Sequence, residues 1–117
     1  MIIRKIKKYI DFLIVKFVQR IKEKEFIYKE EKIKYMFYSN RKSDDLIIIF
    51  NACTRPGIKA RYNYVRTLKK IKVNKLFILD DGGIDNRGTY YLGKYPEFDF
   101  ENGVLELIKN IFQKMII

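Results

Sequence analysis

Two uninterrupted apolar runs constrain this chain more than any other feature. Leu46-Ile47-Ile48-Ile49-Phe50 and Leu76-Phe77-Ile78-Leu79 carry no polar–apolar alternation. A strand without alternation is covered on both faces, the pattern of central strands in parallel sheets. The first run follows the polar turn Ser39-Asn40-Arg41-Lys42-Ser43-Asp44-Asp45, and the second stops at Asp80-Asp81-Gly82-Gly83. Between them Arg55-Pro56-Gly57 interrupts the pattern. Residues 60–71 predict a helix with Tyr64, Val65, Leu68 and Ile71 inward. Strand, helix, strand reads as a parallel βαβ unit with a right-handed crossover.

The flanking segments fill out the architecture. Phe26-Ile27-Tyr28 and Ile33-Lys34-Tyr35-Met36-Phe37-Tyr38 are aromatic and β-branched runs around a short polar link, so they predict an antiparallel hairpin. Residues 84–100 are irregular, punctuated by Gly88, Gly93 and Pro96. A last helix is expected from about Glu101, with Val104, Leu105, Ile108, Ile111, Phe112 and Met115 inward. It stops on Met115-Ile116-Ile117 with no polar tail, which reads as an interruption.

At the other end, Ile3, Ile6, Ile10, Leu13, Ile14, Phe17 and Ile21 fall at helical spacing, opposite Arg4, Lys5, Lys8, Asp11, Lys16 and Gln19. Residues 1–24 are therefore a basic amphipathic helix, and residues 25–117 an incomplete α/β domain. A stripe of this kind more often packs on its own protein. Lying on anionic lipid is the other use of such a helix.

Charge supports neither use by itself. The net charge is +11, and it is uneven. Residues 1–79 hold 21 basic and 7 acidic side chains, whereas residues 80–117 hold 4 and 7. So much lysine beside so much isoleucine is the wording of an AT-rich genome more than of an anionic partner. Arg61-Tyr62-Asn63-Tyr64-Val65-Arg66 interleaves basic and aromatic residues in the manner of single-strand nucleic-acid binders. With Tyr64 and Val65 on the core side and no phosphate loop, nucleic acid is not the expected partner. One cysteine, no leader-like apolar core and no membrane-length apolar stretch give a cytoplasmic expectation, with peripheral contact at the inner membrane face.

In open α/β sheets, ligands bind beyond the carboxyl ends of the parallel strands. The candidate site is therefore built from Asn51-Ala52-Cys53-Thr54 and from the rim residues Asp80 and Asp81. Adjacent carboxylates at a strand end more often face different ways, one capping a turn and one solvated, than act as an acid/base pair. Cys53 has no histidine to activate it, because the chain contains none. Neither a metal centre nor a cofactor is expected.

The order hairpin, strand, helix, strand, loop, helix is that in which an α/β-hydrolase fold begins. The wording of residues 46–52, Arg61-Tyr62-Asn63-Tyr64-Val65-Arg66-Thr67-Leu68, residues 75–81 and Gly88-Thr89-Tyr90-Tyr91-Leu92-Gly93 resembles a bacterial hydrolase-like family. That family is encoded among capsular and surface-polysaccharide genes and is related to the accessory secretion-system acetyltransferase of Gram-positive bacteria. The resemblance covers residues ~26–117 and implies the N-terminal portion of an α/β-hydrolase-like fold: antiparallel hairpin, parallel βαβ and three main helices, truncated before the nucleophile strand. Full-length relatives would be serine acyl hydrolases or acetyltransferases acting on glycans through a Gly-x-Ser-x-Gly elbow. Ser39 and Ser43, the only serines, stand outside any such elbow, so no catalytic residue is assigned and the chain is expected to be inactive alone.

By position, Asn51 to Thr54 would be the oxyanion loop, with Ala52 or Cys53 the better amide donors. The missing strand would leave the edge of Leu46–Phe50 open to a second copy or a C-terminal partner. The alternative is a non-enzymatic adaptor of surface-polysaccharide assembly, held on a membrane or complex by residues 1–24.

Overall fold

A computed structural model describes residues 2–116, with Val15 described by its backbone only. Met1 and Ile117, which the boundaries 1–24 and 25–117 include, lie outside the described residues. The elements are α1 (Ile2–Lys22), β1 (Lys24–Tyr28), β2 (Glu31–Tyr38), β3 (Leu46–Phe50), β4 (Asn74–Leu79) and α2 (Asp99–Ile116). The four strands form one sheet in the order β1-β2-β4-β3. β1/β2 and β2/β4 are antiparallel, while β3 and β4 run parallel, with Ile48 opposite Leu76. The result is a mixed α/β fold. The hairpin is tighter than the sequence suggested, because only Lys29 and Glu30 lie between β1 and β2, and Lys29 takes a left-handed φ of 52°.

All six residues of β4 are buried, as a non-alternating central strand should be. β3 departs from that expectation: only Ile49 is buried, and Phe50 is exposed. The cause is position. β3 ends the sheet, so its side chains have neighbours on one flank only.

α2 covers one face of the sheet. Phe100, Gly103, Val104, Leu107 and Ile111 are its buried residues, spaced at i, i+3, i+4, i+7 and i+11. They pack on Ile33, Tyr35, Leu76 and Ile78. Full burial of aliphatic side chains such as Leu107 and Ile111 contributes about 1.5–3 kcal/mol apiece. Gly103 sets how closely the helix approaches: a Cβ there would stand 2.6 Å from Ile33 Cδ1 and 3.0 Å from Tyr28 Cβ. Leu105 and Phe112, expected inward, are exposed, and Leu107 takes the central place. The apolar stripe is wider than the contact, and Gly103 decides which part of it faces the sheet.

The opposite face is covered by the crossover between β3 and β4, and here the predicted helix does not form. Residues 64–70 are a bend and consecutive turns, so two α-helices stand among the described residues where three were expected. Tyr64 is left-handed at φ 63°, which breaks any helix through it. The Asn63 side chain is drawn away to the Ala52 amide. One i→i−4 bond remains, from Leu68 N to Tyr64 O at 3.0 Å. Val65 and Leu68 pack inward as expected, joined by Tyr62, on Met36, Ile49 and Phe77, whereas Tyr64 and Ile71, also expected inward, are exposed.

α1 forms as expected, but its apolar face does not pack. Asp11, Val18 and Gln19, at i, i+7 and i+8, are half-buried against the body, and the other described side chains of the helix are exposed. Asp11 pairs with Arg66 at 2.9 Å, and Lys22 lies 5.1 Å above the Tyr38 ring. No described helix is long and apolar enough to cross a membrane.

Candidate functional site

β3 and β4, being parallel, deliver their carboxyl ends side by side, and the loops 51–58 and 80–93 meet there. Asn51 and Asp80 stand at the two strand ends and bind each other reciprocally. Asp80 N donates to Asn51 Oδ1 at 2.8 Å, and Asn51 Nδ2 donates to Asp80 O at 3.2 Å. Both residues are buried.

The Asp80 carboxylate organises the second loop. It accepts from Gly82 N (3.1 Å), Thr89 N (2.7 Å), Thr89 Oγ1 (3.0 Å) and Tyr91 N (2.8 Å). Four donors on one ionised acceptor satisfy a buried charge as few arrangements can. To aim those amides, the loop adopts left-handed φ at Tyr90 (54°) and Tyr91 (64°). Gly88, at φ 119°, passes the Asp80 backbone so closely that a Cβ would sit 3.1 Å from its carbonyl. Asp80 therefore caps the turn of its own loop. Asp81 faces elsewhere, accepting from Lys34 Nζ at 2.7 Å. This bond holds the Lys34 ammonium above its ordinary pKa, against a smaller opposing effect of burial.

Tyr91 joins the two loops. Its hydroxyl accepts from Asn51 N at 2.8 Å and donates to Asn51 Oδ1. Its ring stands edge-on to Phe50 at 5.1 Å and tilted against Phe100 at 5.8 Å. Burial pushes the phenol pKa up. The Asn51 backbone bond opposes that shift, and the charge of Asp80 adds to it. Arg87 makes the second link, with Nε donating to Thr54 O at 2.7 Å and a guanidinium nitrogen 3.2 Å from Asp85.

Of the four residues assigned to the first loop, Asn51 is thus a structural peg, its amide taken by Tyr91. The Ala52 amide donates to Asn63 Oδ1 at 2.6 Å. Among the described residues the Cys53 amide takes part in no hydrogen bond, and Cys53 itself is exposed. Its thiol points to Thr54 O at 3.7 Å, with no base beside it. The Thr54 hydroxyl donates to Ile58 O. Among the described residues no group of three or more His, Cys, Asp or Glu side chains is placed to hold a metal ion.

Asn63, Arg87, Thr89 and Tyr91 escaped the reading of the sequence as site residues. Thr89 and Tyr91 lie in the motif Gly88–Gly93, but amides aimed by left-handed tyrosines leave no signature in composition or periodicity.

No family model matches the chain, and no curated protein matches it. Solved structures do. The capsule O-acetyltransferase of Neisseria meningitidis serogroup A is similar at 27% identity and a TM-score of 0.56, over 78% of this chain and 35% of that one. A point mutant of the same enzyme in complex with CoA gives 26% identity and a TM-score of 0.57, over 80% of this chain and 36% of that one. The chain thus spans about a third of the length of the structures it matches, and over that span it is related in sequence and fold to capsule O-acetyltransferases.

Proposed function

We propose that this chain is an acetyltransferase-like module of surface-polysaccharide modification, built on the front part of an α/β-hydrolase-type sheet and silent in catalysis by itself. The observation that carries the reading is its likeness, in sequence and in fold together, to the Neisseria capsule enzyme. The parallel pair β3/β4 and its two interlocked strand-end loops support it, since this is where such a sheet builds its site.

Silence follows from chemistry. Acyl transfer through serine needs a nucleophile activated by a base, and residues 1–117 contain no histidine. The contribution of the chain is a preorganised loop. With the Ala52 amide engaged by Asn63, the Cys53 N–H is the one of the two preferred donors left for a developing oxyanion. One such donor is worth about 10²–10³ in turnover. Nucleophile and base are then supplied by polypeptide outside residues 1–117 or by a partner, pairing along the open side of β3.

The test is genetic and chemical together. Deleting the gene should lower the O-acetyl content of the cell's surface polysaccharide, measured by NMR of the purified polymer, with its sugar composition unchanged. Unaltered O-acetylation in the deletion strain would sink the proposal. So would acetyl transfer by the purified 117-residue chain alone, as far as its silence is concerned.

A further inference from the structure

We infer that α1 is a membrane-surface anchor, binding an anionic lipid bilayer through the apolar stripe that it turns away from its own protein. The helix touches the body along Asp11, Val18 and Gln19. The stripe is centred roughly 125° round the helix from that contact. Ile3 is 82% exposed, Phe17 65% and Ile21 65%, and Ile6, Ile10, Leu13 and Ile14 are each exposed by about half. A contiguous apolar face of this length is not left in water without a partner.

Charge identifies the partner. Ile2–Lys22 carries Arg4, Lys5, Lys7, Lys8, Lys16, Arg20 and Lys22 against the single acid Asp11, a balance of +6. That acid is already bound to Arg66. At 100° per residue, Lys7 borders the stripe on one side, and Arg20 and then Lys16 border it on the other. An apolar face bordered by cations on both sides matches the boundary between acyl chains and anionic headgroups. A second copy of the chain would set +6 against +6 and is disfavoured. At its C-terminal end the stripe runs into a depression of about 250 Å³ floored by Tyr35, Phe37 and Ile111 and rimmed by Lys22, Lys24 and Lys114. The same chemistry, apolar floor and cationic rim, continues onto the body. Since no described helix is long and apolar enough to cross a bilayer, the helix lies along the surface.

The experiment is flotation of the full chain with vesicles of phosphatidylcholine alone, and of phosphatidylcholine with about one-third phosphatidylglycerol. Binding to the anionic vesicles should exceed binding to the neutral ones about tenfold or more, and fall about tenfold at high salt. Ile10→Glu/Phe17→Glu should abolish it with circular dichroism unchanged, because both positions are exposed. Lys7→Glu/Lys16→Glu/Arg20→Glu should remove the anionic preference. The chain has no tryptophan, so Phe17→Trp provides a reporter whose emission should shift to the blue on anionic vesicles only. Three results would overturn the inference. One is vesicle binding that Ile10→Glu/Phe17→Glu leaves intact, which is the generic attraction of a basic protein. Another is no vesicle binding but self-association lost in that variant, which makes a second copy the occupant. The last is no vesicle binding and no blue shift at all.

Discussion

A buried carboxylate is costly unless its lone pairs are filled, and Asp80 fills them with the backbone of its own loop. This makes Asp80 the residue on which the geometry of the site depends, although it touches no candidate reacting atom. Replacing it with asparagine keeps the size and the Oδ1 contact but turns an amide NH2 toward donors at Thr89 and Tyr91. The expected loss is about 2–4 kcal/mol in urea unfolding, the range for leaving buried partners of a charged group unsatisfied. A loss below about 1 kcal/mol would mean that the loop finds another way to fold. The sequence offered Asp80 and Asp81 as a pair, and residue type alone cannot say which of two adjacent carboxylates turns inward. What separates them is Thr89 and Tyr91, nine and eleven residues on, and the side chain of Lys34 on a neighbouring strand.

Elements were legible where hydrophobic periodicity is long and unbroken. α1, the hairpin, β4 and α2 follow from their apolar spacing: α2 buries one face, β4 buries both, and α1 keeps the helical period although its stripe stays exposed. The helix expected over residues 60–71 had the spacing without the backbone: of the four side chains expected inward only Val65 and Leu68 pack there, because Tyr64 and Asn63 fix a path that is not helical. β3 shows the converse. Its composition is that of a central strand, while its place is at the edge. Beside it Phe50, Tyr91, Val104, Leu105 and Ile108 line an apolar groove of about 280 Å³ between strand and helix. Such an edge recruits a further strand. The purified chain is expected to self-associate at high micromolar concentration in sedimentation velocity, and Leu105→Lys, on the exposed wall of that groove, is expected to weaken the association. A stable monomer at that concentration would rule this out.

The whole molecule is thin and open. Its extents are 49 × 40 × 19 Å, and its radius of gyration of 15.6 Å exceeds the roughly 13 Å of a compact domain this size. Four of its ionisable groups share one direction of response to pH. Burial raises the phenol pKa of Tyr38, Tyr62 and Tyr91, with the carboxylates of Glu23 and Asp81 adding to the effect at Tyr62. The bond to Asp81 raises Lys34. In each case the folded state favours the protonated form, so the stability these groups contribute is complete below about pH 10 and is lost as pH rises above it. The urea midpoint should be insensitive to these groups between pH 8 and about 10 and fall beyond that, and Tyr91→Phe should flatten the fall. A midpoint that rises with alkali would contradict the arrangement.

One feature of β3 reaches further than its burial. An asparagine clamps each of its ends to β4: Asn51 exchanges bonds with Asp80 at one end, and Asn74 donates twice to Asp45 O and once to Ser43 O at the other. A slip of one residue would exchange the two faces of the strand and would have to break both clamps at once. The open edge is accordingly a fixed ruler. Any strand that joins it, from further along the same polypeptide or from another, finds its register already decided before it arrives.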